Sequence, residues 1–178
     1  MIAIVDNGMG ADQIKQFLKD AKTIKPKEIK RTEYDAFILT NGKPTKQNQK
    51  PNIELIQNAK RPVLGIGLGF LYMGASFGGE VTETTPTGKN MKLKTEHPSP
   101  LLNGIKTILI QDVLPFKLEN TPECFEVICE KKNGPEIIQD VELPLIGTRF
   151  DPTKTRKAKK IFENFKDFAQ TYDFYHKK

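Results

Sequence analysis

The stretch Arg61-Pro-Val-Leu-Gly-Ile-Gly-Leu-Gly-Phe-Leu-Tyr-Met-Gly74 decides the fold. Pro62 to Ile66 is an apolar run without alternation, as expected for a strand buried on both faces. Leu68 to about Phe77 then reads as a helix, and Gly67 stands at the sharp turn between the two. In α/β enzymes such an elbow holds its central residue at positive φ and leaves neighbouring N–H groups free as an oxyanion hole. Gly67 satisfies the backbone requirement without strain but carries no reactive atom.

Outward from the elbow, the first 80 residues read β-α-β-α-β-α, the pattern of a parallel sheet covered by helices. Ile2 to Val5 is a buried strand, followed by the turn DNGMG. Asp12 can cap a helix whose Ile14, Phe17, Leu18 and Ala21 share one face. A lysine-rich segment, 22–33, leads to a second buried strand, Ala36 to Thr40. Pro51 suits a first helical position and would open the helix that precedes Pro62. Between Gly79 and Gln139 the β-prone runs VTET, MKLKT, TILIQ and FEVICE suit antiparallel strands extending one side of the sheet. Leu145 to Phe150 gives a last strand, and a helix from about Thr155 closes the chain with Ile161, Phe162, Phe165, Phe168 and Ala169 on one face. No repeat, low-complexity tract or boundary divides the sequence, so residues 1–178 read as one domain.

The composition excludes several classes. Apolar runs fall far short of a membrane span. The opening MIAIVDNG lacks a basic region followed by an apolar one, so no signal peptide is expected. Cys124 and Cys129 read as reduced structural thiols of a cytoplasmic protein, because odd spacing in a strand puts them on opposite faces. Five of the six net positive charges lie from Lys154 onward. That clustering reads as a solvated or docking face of one helix and argues against nucleic acid. The spacing after Gly67 and Gly69 fails the dinucleotide fingerprint, and Gly8-Met-Gly10 has no third glycine. His97 and His176 belong to no cluster with ligand spacing, so neither metal nor cofactor is expected.

The elbow, with its flanking motifs, resembles the class I, triad-type glutamine amidotransferases. Their signature is a strand ending in G-[IV]-C-x-G-H-Q and a later strand ending in F-H-P-E. PVLGIGLGFL aligns with the first and GTRFDPTKT with the second, while VDNG, ILTNGKP and FGGEV match the early turn, the oxyanion loop and the segment after the elbow helix. Within the family the opening and length look most like the glutaminase subunit of two-subunit GMP synthase. The resemblance implies a flavodoxin-like α/β fold: a mostly parallel sheet with helices on both faces and an antiparallel β extension. It also implies which positions carried the chemistry. The nucleophilic cysteine corresponds to Gly67, the His-Gln pair to Phe70 and Leu71, the catalytic histidine to Asp151 and its orienting glutamate to Thr153. Gly65, Gly69, Phe150, Pro152, Gly42 and Pro44 keep the family frame, whereas Asn41 and Lys43 replace a glycine and a small residue in the oxyanion loop.

These departures predict a scaffold without the glutaminase site. The leading expectation is a non-catalytic binding or regulatory subunit, docking a synthetase of the ATP-pyrophosphatase type. Two alternatives stay open. One is a small-molecule sensor whose pocket is formed by Asn41, Gly42, Lys43, Gly67, Leu68, Phe70, Leu71 and Asp151. The other is a different enzyme using Asp151 with Lys43 or Arg149. Strand alternation places Arg149 and Asp151 on one side, where they could simply pair, and Asp151 before Pro152 could simply cap a turn.

Overall fold

The computed structural model describes residues 1–30, 32–95 and 97–176. The chain opens with β1 (Ile2–Val5), the two-residue β2 (Gly8–Met9) and helix α1 (Ala11–Phe17). β3 (Lys22–Ile24) and β4 (Ala36–Leu39) follow, then the two-residue β5 (Asn41–Gly42) and α2 (Lys46–Gln57). β6 (Val63–Ile66) turns at Gly67 into α3 (Leu68–Ser76). The middle holds β7 (Glu80–Glu83), β8 (Asn90–Lys94), β9 (Thr107–Gln111), β10 (Phe116–Asn120), β11 (Phe125–Lys131) and β12 (Gly134–Asp140). β13 (Leu145–Thr148) and α4 (Ala158–His176) complete the chain.

Seven strands form the main sheet in the order β11-β12-β13-β6-β4-β1-β3. The last five are mutually parallel, and β12 and β11 add to the β13 side as antiparallel strands. The central strands lack alternation because each feeds two cores. β1 gives Ile4 to the side covered by α1 and α4, and Ala3 and Val5 to the side covered by α2 and α3. β4 divides likewise, with Ile38 on the first side and Phe37 and Leu39 on the second. From β1 the chain moves outward to β3, then returns to the other flank of β1 as β4. That reversal opens a crevice at the carboxyl ends of the strands, where α/β sheets bind ligands.

Four expectations are corrected. Asp12 is not the cap of α1: the helix starts behind Gly10 at φ 94°, without a side-chain cap, and Asp12 sits in the first turn. There its carboxylate still complements the helix dipole. Pro51 does not open α2 but lies inside it. The start is set instead by a reciprocal cap, with Thr45 Oγ1 accepting from the Asn48 N–H and Asn48 Oδ1 from the Thr45 N–H. β3 emerges from the lysine-rich segment as an unforeseen edge strand with only Ile24 buried. Finally, only β11 and β12 extend the sheet. β7 pairs with β10, and β8 with β9, as separate two-stranded ribbons. The β8–β9 ribbon turns Leu93, Ile108 and Ile110 onto the core beneath α4.

Candidate functional site

The crevice is a cavity of about 670 Å³ at the carboxyl ends of β4, β6 and β13. Its floor is the elbow. Gly67 adopts φ 56° and ψ −104°, a combination that side-chain-bearing residues rarely adopt. The Gly67 N–H donates to the Thr148 carbonyl of β13 at 2.9 Å, and the Gly67 carbonyl accepts from the Leu71 N–H at 3.1 Å. A Cβ on Gly65 would lie 2.7 Å from the Gly69 carbonyl, so strand and helix meet here backbone to backbone.

Asn41, Gly42, Lys43, Gly67, Leu68, Leu71 and Asp151, all expected at the pocket, line this cavity. Phe70 does not. It is fully buried between α3 and the sheet, because the third residue past the elbow faces the helix–sheet interface. Thr153 is also outside the lining; its N–H and Oγ1 donate to Asp151 Oδ1 at 2.9 and 2.7 Å. Asp151 therefore caps the turn Pro152–Lys154.

Arg149 does not pair with Asp151 as strand alternation suggested. It lines the crevice from a nearly buried position and binds Glu136 at 2.9 Å and Asp112 at 3.2 Å. Its remaining donors reach the Leu114 and Phe116 carbonyls. Burial pushes the Glu136 carboxyl up to about 7 against the pull of Arg149, and its Oε2 has no hydrogen-bond partner among the described residues. For Asp112 burial pushes upward too, but the Thr87 N–H and hydroxyl and Arg149 hold it below the usual range. Nothing in the sequence points to this cluster beyond three charged residues in β-prone runs.

A second unforeseen network holds the loop after β4. Asn7 donates through its backbone N–H to Thr40 Oγ1 and through Nδ2 to the Thr40 carbonyl. Asn52 donates to Asn7 Oδ1 at 2.8 Å, Asn48 to the Lys43 carbonyl at 2.9 Å, and the Tyr72 hydroxyl to Asn48 Oδ1 at 2.7 Å. The loop thus rests on both α2 and α3. Asn41 uses that support to direct Oδ1 onto the Leu68 N–H at 3.0 Å.

None of the residues lining the crevice is a histidine or a cysteine. His97 pairs with Glu126 at 3.3 Å, and His176 stacks on Tyr172 at the end of α4. Neither cysteine forms a disulfide, and the Cys129 thiol donates to the Lys94 carbonyl at 3.1 Å. Burial and the nearby Asp140 carboxylate push the Cys124 thiol up, opposite to the shift of an activated nucleophile. Among the described residues no group of three or more His, Cys, Asp or Glu could hold a metal ion, and no helix is long and apolar enough to cross a membrane.

The family model for class-I glutamine amidotransferases matches residues 5–169. The chain belongs to that family. Among its relatives is a subunit of the glutamine-hydrolyzing GMP synthase of Methanococcus maripaludis strain C5, 29% identical over 77% of this chain and 75% of the relative. The glutamine-hydrolyzing GMP synthase of Thermosipho melanesiensis is 30% identical over 79% of this chain, and the bifunctional protein TrpGD of Thermotoga maritima 25% identical over 86%. The alignments span 29% and 27% of the length of those two longer proteins. The crystal structure of a candidate GMP synthase subunit from Thermoplasma acidophilum superposes with a TM-score of 0.88 over 99% of this chain and 97% of that one, at 21% identity. The fold of that structure is therefore shared over almost the whole of this chain.

Proposed function

We propose that this amidotransferase is a pseudo-glutaminase: a non-catalytic, cytoplasmic binding or regulatory subunit that docks a synthetase of the ATP-pyrophosphatase type, such as that of GMP synthase. The observation that carries the reading is the elbow, where Gly67 supplies the turn but no nucleophile and no histidine lines the crevice around it. Acyl transfer in the family manner needs a nucleophile and a base within hydrogen-bond reach of each other. Asp151, which the resemblance sets against the family's histidine, accepts from the Thr153 N–H and hydroxyl. Relationship to a GMP synthase subunit of similar length supports the choice of partner.

The test pairs the purified chain with the synthetase subunit of its own organism, measuring ammonia release from glutamine and complex formation by size exclusion. The expected result is a stable complex without ammonia release. Glutamine turnover by the chain would refute the reading. No complex would transfer the weight to a small-molecule sensor, for which the predominantly apolar wall formed by Leu71, Tyr72, Val113, Leu114 and Phe116 is the supporting observation.

A further inference from the structure

The Leu68 N–H is the first backbone donor beyond the elbow, the kind of group an acyl-transfer site keeps open for the oxygen that gains charge. In this chain it is already satisfied by Asn41 Oδ1. The Asn41 side chain ends in a primary carboxamide, the functional group that ends a glutamine side chain. It also occupies the space of the missing nucleophile, since a Cβ on Gly67 would lie 2.5 Å from Asn41 Oδ1 and 2.6 Å from its Cγ. The backbone that carries the carboxamide is held from behind: Asn41 pairs with Met9 in the β2–β5 bridge, and the Thr40 hydroxyl donates to the Asn41 backbone carbonyl at 3.1 Å.

We propose that Asn41 is a built-in occupant of the oxyanion pocket, an intramolecular carboxamide that closes the elbow to free glutamine. This rests on the non-catalytic reading and deepens it. Gly67 and Asn41 are a matched pair, because a side chain at 67 and this placement of Asn41 exclude one another. A small ligand entering the crevice meets Leu71, Tyr72 and Phe116 and finds the amide-binding donor already taken. The ligand class is therefore a molecule with an apolar body, and not a free primary amide.

The experiment follows the Leu68 amide by NMR in the ¹⁵N-labelled full chain. In the wild type its hydrogen exchange should be slow and its resonance unmoved by millimolar glutamine. Asn41→Gly should speed that exchange about tenfold, the effect of losing one hydrogen bond. Asn41→Asp keeps an acceptor and should hold the exchange slow. Movement of the wild-type Leu68 resonance with glutamine overturns the proposal, as does equal exchange in the wild type and Asn41→Gly. Fast exchange in both variants also overturns it, because a disturbed loop would then account for the change. The wild-type titration decides even if a variant fails to fold. Ammonia release would instead refute the non-catalytic reading, whereas a Leu68 shift without ammonia refutes the plug alone.

Discussion

Gly67 does at one residue what the elbow demands. Its φ of 56° with ψ −104° lies where a Cβ costs about 1–3 kcal/mol, and here the added carbon would also collide with Asn41. Gly67→Cys should therefore lower stability by about that amount in chemical denaturation. It should still release no ammonia from glutamine, because no histidine lines the crevice to activate the thiol. Turnover in that single variant would mean that another group acts as base. The turn was legible in the sequence, since glycine at an elbow answers a local backbone question. The role of Asn41 was not, because its partner lies 27 residues away and no periodicity reports such a contact.

At the scale of elements, legibility follows how local the cause is. β1, β4 and β6 declare themselves as unbroken apolar runs because helices cover both faces of the sheet. β3 stays hidden, since three residues with one buried side chain leave no pattern to read. Of the two ribbons, β7, β8 and β9 were readable as strands and β10 was not, and the pairing partners are set by packing under α4 and beside α3 rather than by their own residues. α2 is instructive. Pro51 drew its predicted start too far along the chain, while the signal that decides the start is the Thr45–Asn48 cap. Thr45→Ala should cost about 1 kcal/mol. It should also loosen the loop that carries Asn41, because Asn48 bonds both Tyr72 and the Lys43 carbonyl. Denaturation of the variant, with hydrogen exchange of the Asn41, Gly42, Lys43 and Thr45 amides, checks both effects. Unchanged exchange there would detach the cap from the site.

Across the whole molecule, Arg149 joins parts that the sequence keeps apart. From the end of β13 it binds Glu136 on β12, Asp112 just past β9, and the carbonyls of Leu114 and of Phe116 at the start of β10, so one guanidinium ties the antiparallel extension to the rim of the crevice. Its two acids differ in kind. Asp112 is held ionised by hydrogen bonds to the Thr87 N–H and hydroxyl and to Arg149, whereas the fully buried Glu136 is pushed up to about 7 by loss of solvent. An unfolded glutamate titrates near 4.3. Between roughly that pH and 7 the folded state binds this proton more firmly than the unfolded state, so stability from this group falls as pH rises through the interval and levels off above it. The full loss from such a shift is on the order of 3 kcal/mol. Urea denaturation from pH 5 to 8 should show the decline in the wild type and a flatter profile in Glu136→Gln. Parallel profiles would mean that Glu136 stays ionised beside Arg149 throughout. The sloped wild-type profile would instead mean that the clamp at the rim of the crevice holds a neutral carboxyl in mildly acidic solution and gains a buried negative charge near neutrality, the only such transition the cluster offers over that range.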